Sequence, residues 1–420
     1  MSERHVSPVW HPFTQHALQQ VFPRIVRTEG AYLYTEDGRR IIDAISSWWV
    51  ITHGHRHPHI VAAIQSQAET LDQLIFAEYT HEPAERLAAK LTALAPEGLE
   101  HVFYSDSGST SVEVALKMAL GYWHHNGEPR HRIIVLERSY HGDTIGAMSV
   151  GARGLFTQTY EALLFEVSCI PFPAAGSEEK TFAALEQICE RHDSAALIVE
   201  PLVLGGGGML MYPPWVLKRL RAICTSHDVL MIADEVMTGW GRTGSLFACE
   251  RAAIAPDIAC YSKGLTGGAL PLAVTLCTRE IFMAHYAPDR RRTFFHSSSF
   301  TANPIACAAA LANLEIWEID RVHARIAALE SMQAEYLNRF RDVPGVENLR
   351  QTGTITAFDL KAPDGGYLSE LGPRLRTSFQ AANVLLRPLG NTIYVLPPYC
   401  VSREDLDRVY ESIEHAIRAL

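Results

Sequence analysis

Val229–Glu235 reads VLMIADE, and Asp257–Gly268 reads DIACYSKGLTGG. Each holds an apolar run too short for a helix and bounded by polar or glycine residues, the pattern of a strand buried on both faces. Asp234 ends the first run and Lys263 follows the second. Similar runs recur on either side: HVFYSD (101–106), RIIVLE (132–137), ALIVEP (196–201) and LAVTLC (272–277). Between them lie helix-period stretches such as SVEVALKMALGYW and PWVLKRLRAICTSH. Strands alternating with helices make βαβ units and a mostly parallel sheet. From about Asn303 the pattern turns to long helices, then short strands near 353–360 and 384–396, then a closing helix. AYLYTEDGRRIIDAI, near the start, carries two hairpin strands. The fold class is α/β: a large domain over 56–315 with a mostly parallel sheet, and a smaller α+β domain from 1–55 and 316–420.

The 420 residues fit two or three packed units of about 150 residues each. A hydrophobic fraction of 47% and a charged fraction of 20% exclude wholesale disorder. The net charge of -10 argues against non-specific nucleic-acid binding, which needs basic surface. The 8 cysteines are scattered without a C-x-x-C pair, so neither a disulfide scaffold nor a zinc ribbon is expected. The opening MSERHVSPVWHPF has no apolar leader core, and no apolar run approaches about 18 residues. A cytoplasmic protein with no membrane partner is the expectation. His53, His55, His57 and His59 alternate in HGHRHPH, but Pro58 reads as the first turn of a helix. A polar loop entering that helix is expected there, and no metal.

In an open α/β sheet, ligands gather beyond the carboxyl ends of the strands. Asp234 and Lys263, at neighbouring strand ends, therefore face one crevice. Alone, Asp234 could equally cap a helix, and a loop lysine is ordinarily solvated. Together, with Gly264, Gly267 and Gly268 allowing close backbone approach, they suit pyridoxal phosphate. The carboxylate would keep the pyridine nitrogen protonated, and the lysine amine would bond the aldehyde carbon. Ser107, Gly108 and Ser109 follow HVFYSD and open a helix, with Thr110-x-x-Glu113 as the expected capping box, so their free N–H groups suit a phosphate. Tyr140, in RSYHGD, follows another strand and is placed to cover the ring face; packing on a domain seam is its alternative. GWGRTG (239–244) has the spacing of a dinucleotide loop but neither starts at its strand nor opens a good helix. GGGG (205–208) lacks the Lys-Ser/Thr of a P-loop.

On these residues the chain resembles the class III pyridoxal-phosphate-dependent aminotransferases over essentially its whole length. MIADEVMTGWGRTG followed by SKGLTGG is specific for that class. The resemblance implies fold type I of the pyridoxal-phosphate transferases. WHPFT (10–14), SSWW (46–49), YHGDT (140–144) and LLRPLGNTIYVLPP (385–398) are similar to the members that pass an amino group from S-adenosylmethionine to 8-amino-7-oxononanoate in biotin synthesis. That likeness makes Lys263 the Schiff-base lysine and proton shuttle, Asp234 the partner of the pyridine nitrogen and Tyr140 the stacking aromatic. Gly108 and Ser109 match the phosphate loop. Ser299, beside Ser298 in HSSSFTANP, falls where the family usually carries a threonine reaching the phosphate of the neighbouring subunit, which implies a homodimer with shared active sites. Arg387 matches the arginine that pairs with the oxononanoate carboxylate. Trp48, Trp49 and Tyr394 match pocket-lining residues, and Asp143, Arg242 and Ser297 match positions near them.

The chain also departs from the pattern. Phe13 stands where adenosylmethionine-using members carry tyrosine, and some relatives with phenylalanine there use lysine as donor. Leu204 replaces a glutamine in EPxxQ, and HSSSFTAN replaces a more glycine-rich run. Lysine as donor, another ω-amino acid or diamine transaminase, and a pyridoxal-phosphate aminomutase are the competing readings.

Overall fold

The computed structural model describes residues 8–18, 22–362 and 366–420. The first seven residues of the opening stretch MSERHVSPVWHPF lie outside them. Seven strands form the central sheet, in the order Leu99–Ser105, Ala273–Thr278, Ile258–Tyr261, Leu230–Asp234, Ser194–Val199, Arg132–Leu136 and Ser168–Ile170. Ala273–Thr278 runs antiparallel to both its neighbours; every other pairing is parallel. All six apolar runs are strands of this sheet, which accounts for the fold class. Ser168–Ile170 was not anticipated, because three residues at the sheet edge leave too little pattern to read.

The runs are continuously apolar because both sheet faces are covered. Along Leu230–Asp234, Met231 and Ala233 point into one buried cluster and Ile232 into another. Leu197 and Val199 divide from Ala196 and Ile198 in the same way. Each of the Val, Leu, Ile and Met side chains contributes about 1.5–3 kcal/mol by leaving water, the alanines less. The helices Gly108–His125, Pro214–Ser226 and Pro304–Ile319 bring apolar faces to these clusters.

Three smaller sheets complete the frame. Ile25–Glu29, Tyr32–Thr35 and Arg40–Asp43 form an antiparallel meander, and Val384–Leu385 joins it parallel to Arg40–Asp43. The two ends of the chain thus share one sheet. Val346–Thr352, Ile355–Leu360 and Thr392–Val395 form the second, antiparallel throughout. A short pair, Val203–Leu204 with Leu210–Met211, closes the glycine run 205–208.

Pro58 occupies the first turn of the helix Pro58–Ala68, as expected. The four alternating histidines do not share a face. His53 lies against the rings of Trp317 and Tyr399, His55 bonds Asp43 at 2.8 Å, and His59 bonds Glu315 at 2.7 Å. Among the described residues no group of three or more His, Cys, Asp or Glu could hold a metal ion, and no helix is long and apolar enough to cross a membrane.

The expected capping box requires a correction. Ser107, not Thr110, is the N-cap: its hydroxyl accepts from Thr110 N at 3.3 Å while Thr110 Oγ1 accepts from Ser107 N at 2.9 Å. Glu113 is thereby released for another task. Its carboxylate accepts from Gly146 N at 2.8 Å, Ala147 N at 3.1 Å and the Thr144 hydroxyl at 2.7 Å, capping the helix Ile145–Ser149.

Candidate active site

Asp234 pairs in register with Cys260, so it and Lys263 lie at the same end of adjacent parallel strands. Asp234 is buried, and its oxygens accept from Val236 N at 3.1 Å and meet His141 Nδ1 at 2.7 Å. Those partners offset the cost of placing a carboxylate there. Lys263 opens a single turn of 3-10 helix, Lys263–Thr266, with φ of 47°. A left-handed backbone at a non-glycine residue is strained, and such strain gathers at functional sites. The ammonium nitrogen lies 5.1 Å from the centre of the Trp49 ring. Burial is the main influence on the amine and lowers its proton affinity, partly opposed by the charges of Asp234 and Glu200.

Tyr140 is half-buried, and its phenol is held protonated by burial and by the nearby Asp143 carboxyl. Its backbone N–H donates to Glu200 Oε1 at 3.0 Å; Glu200 Oε2 accepts from Gly205 N at 2.9 Å. Burial raises the Glu200 carboxyl to about 7, with His141 opposing and Asp234 reinforcing the shift. The glycine run owes its composition to this packing. A β-carbon on Gly206 would lie 2.6 Å from Tyr140 Cβ, and one on Gly205 would lie 3.1 Å from the Trp49 ring. GGGG is therefore the surface on which Tyr140 and Trp49 rest.

The N-terminus of Gly108–His125 adjoins this group. Gly108 packs so closely on Val236 that a β-carbon would lie 2.6 Å from Val236 Cγ1. The capping box engages Ser107 and Thr110 and leaves the N–H groups of Gly108 and Ser109 open, as the first residues of a helix require. Asp143 N donates to the Ser109 hydroxyl at 3.2 Å, and Gly142, with φ of 134°, passes over Ser109. Ser297, Ser298 and Ser299 lie apart from this group in their bonding. Ser298 N donates to Thr301 Oγ1 at 2.9 Å, Ser297 Oγ donates to Ser298 O at 3.1 Å, and Ser299 O accepts from Gln73 Nε2 at 2.6 Å.

The SSWW turn forms the opposite wall. Ser46, Ser47 and Trp49 all have positive φ. Buried Asp43 holds the turn, its carboxylate accepting from Ser47 N at 2.7 Å and from Ile45 N at 3.2 Å. Arg242, only 1% exposed, holds it from behind: its guanidinium donates to Trp49 O at 3.3 Å, Ile51 O at 2.7 Å and Pro397 O at 3.2 Å. Arg242 thus acts on the pocket through Trp49. Trp49 Nε1 donates to the Tyr394 hydroxyl at 3.0 Å, which pairs two of the expected residues. Trp48 faces outward, with the Phe13 ring 5.6 Å and the Arg387 guanidinium 5.1 Å away. Phe156 lies 5.9 Å from Phe13 and 4.7 Å from Tyr367, whose hydroxyl accepts from Arg387 Nη2 at 3.3 Å.

Sequence reasoning missed Glu200, His141, Asp43, Phe156 and Tyr367. Glu200 ends an apolar strand as Asp234 does, and that signal was available. Phe156 carries none, because its role depends on Phe13 and Tyr367, far along the chain, whereas Asp43 acts on near neighbours through an irregular turn that has no periodic pattern to read.

With this geometry in place, the comparisons with known proteins are specific. Residues 13–417 match the family model described as aminotransferase class-III. The chain is 48% identical to the adenosylmethionine-8-amino-7-oxononanoate aminotransferase of Synechococcus elongatus, covering 96% of this chain and 97% of that one. It is 39% identical to the protein of that name from Geobacter sulfurreducens, covering 98% and 96%. Among solved structures it is similar to that of the same-named Methanocaldococcus jannaschii protein, with a TM-score of 0.92, 33% identity and 97% of each chain covered. An amine transaminase from an uncultivated Pseudomonas species, solved with pyridoxal phosphate bound, gives a TM-score of 0.92 at 32% identity over 98% of each chain. The chain belongs to the class III aminotransferases and has their fold.

Proposed function

We infer that this class III aminotransferase transfers the amino group of S-adenosylmethionine to 8-amino-7-oxononanoate, giving 7,8-diaminononanoate for biotin synthesis in the cytoplasm. The observation that carries the reading is the end-to-end identity of 48% with a relative of that name. The residues fit pyridoxal phosphate: a buried carboxylate and a strained lysine at adjacent strand ends, and a helix N-terminus packed on Val236, two residues beyond that carboxylate. When bound, that cofactor supplies a ring that takes up the electron pair left as the donor carbon loses its proton.

Lys263 would hold the cofactor and move the proton, a task helped by its lowered proton affinity. Asp234, kept in place by His141 and Val236 N, would hold the charge on the ring nitrogen. The N–H groups of Gly108 and Ser109, with the hydroxyls of Ser107 and Ser109, would bind phosphate at the helix N-terminus, and Tyr140 would cover the ring. Ser298 and Ser299 would complete the phosphate site of a second copy in a homodimer. Exposed Phe295 and Phe300, flanking these serines, suit such a contact. Arg387 would pair with the oxononanoate carboxylate, with Trp48, Trp49, Tyr394 and Phe13 as walls and Asp143, Arg242 and Ser297 nearby. Residues 56–315 would carry the cofactor, and 1–55 with 316–420 the substrate side.

Lysine as donor to the same acceptor is the second reading, favoured by the absence of a hydroxyl at Phe13. The test mixes cofactor-loaded protein, without acceptor, with S-adenosylmethionine and separately with lysine. Loss of the cofactor's visible band with S-adenosylmethionine, restored by 8-amino-7-oxononanoate, is expected. Loss with lysine alone would replace the donor. No change with either would overturn the substrate assignment and return the chain to the wider transaminase class.

A further inference from the structure

The helix Pro304–Ile319 packs Ala306, Cys307, Ala309, Ala310, Ala312 and Leu314 into the core. Asn313 stands among them with 0% exposure. A buried amide weakens a core unless it is hydrogen-bonded. Its Nδ2 donates to Gly264 O at 3.1 Å and to Leu265 O at 3.0 Å, the two carbonyls that follow Lys263. The turn that receives these bonds starts at the left-handed Lys263 and ends at Gly267, with φ of 65°. A β-carbon on Gly267 would lie 3.1 Å from Asn313 Oδ1, so the amide and the glycine are fitted to each other. On the other side Gly264 is packed against Trp240 and Thr52, where a β-carbon would lie 2.8 and 2.9 Å away.

We propose that Asn313 is a positioning residue for Lys263: its two donated hydrogen bonds hold the strained turn that aims the lysine amine into the crevice shared with Asp234. Without them the Leu265 carbonyl is left buried without a donor, and the turn can relax toward negative φ, carrying the Lys263 side chain with it. Asp234, Glu200 and Arg242 set the charge around the amine and stay in place, so the defect is one of aim. This inference rests on the reading of Lys263 as the residue that holds the cofactor.

The test measures how fast pyridoxal phosphate becomes attached to Lys263 in cofactor-free protein, by borohydride reduction and location of the tagged peptide by mass. Asn313→Leu is expected to lower that rate and kcat about tenfold with KM for both substrates unchanged. Asn313→Asp should do the same in either protonation state, because a carboxylate has no hydrogen to donate and a protonated carboxyl has one for two carbonyls. Cys307→Ala, on the same helix away from the turn, should trap at the wild-type rate. Wild-type trapping and kcat in Asn313→Leu would overturn the proposal. Should that variant fail to fold, Asn313→Ser, too short to span both carbonyls, gives the same two answers. Absence of a tag on Lys263 in the wild type would remove the parent reading, and this inference with it.

Discussion

Glu200→Gln gives a stability change whose sign depends on pH. In the fold the Glu200 carboxyl titrates near 7 against an ordinary value of 4.5, chiefly because it is buried. The folded state therefore binds this proton more tightly than the unfolded chain does. The associated stability is fully present below about pH 4.5 and is lost as pH rises through 7. At about 1.36 kcal/mol per pH unit, this interval corresponds to about 3 kcal/mol. Glutamine does not titrate, so the variant is spared that loss. Its amide, however, turns a donor toward either Tyr140 N or Gly205 N, both donors themselves, and the unpaired N–H costs about 1–2 kcal/mol. At pH 5, where the wild type has already lost about 1 kcal/mol of that stability, the variant should be less stable than wild type by up to about 1 kcal/mol. At pH 8 it should be at least as stable, with an advantage of about 1–2 kcal/mol. The assay is urea denaturation of the cofactor-free protein at both pH values, comparing midpoints, since a chain of this size need not unfold in one step. An offset between variant and wild type that is the same at pH 5 and pH 8 would refute the reasoning.

Two further substitutions probe the two sides of the crevice. Arg387→Met removes a charge-assisted contact with the acceptor carboxylate worth about 1.5–3 kcal/mol, so KM for 8-amino-7-oxononanoate should rise tenfold or more. The melting temperature should barely move, since among the described residues the guanidinium makes one 3.3 Å hydrogen bond. An unchanged acceptor KM would move the carboxylate site elsewhere. Gly142→Ala places a β-carbon 2.9 Å from Ser109 Cα on a backbone with φ of 134°, which only glycine adopts readily. It should weaken pyridoxal phosphate binding, measured by equilibrium dialysis, about tenfold or more if the turn shifts by the loss of one good hydrogen bond. Wild-type binding would show that the loop does not bear on the phosphate site.

Much of the architecture was legible because the sheet is covered on both faces. A strand such as Leu230–Asp234 must be apolar at every position, and its acid end then stands out. Lys263 stood out for the same reason, as a cation two residues past the apolar IACY strand, Ile258–Tyr261. Half-exposed strands gave no such signal: Ile25–Glu29 and Val346–Thr352 carry charged residues and were not read as strands. The capping box was misplaced by three residues because Thr110-x-x-Glu113 fits the usual Ser/Thr-x-x-Glu/Gln pattern, whereas the box that forms, Ser107 with Thr110, does not. Only the position of the helix Ile145–Ser149 decides which one Glu113 serves.

Local chemistry, then, determined the elements and the two residues at the strand ends. Burial periodicity and chain direction follow from sequence neighbours. Tertiary structure alone decided what supports them. Arg242 looked like a pocket residue and is in fact spent on the carbonyls of Trp49, Ile51 and Pro397. The glycines 205–208 looked like a failed phosphate loop and are the bed for Tyr140 and Trp49. Asn313, to which no sequence pattern pointed, clasps the turn of Lys263 from 48 to 49 positions away along the chain. A hydrogen bond of that span is set by how packed elements meet, and no local pattern encodes the meeting.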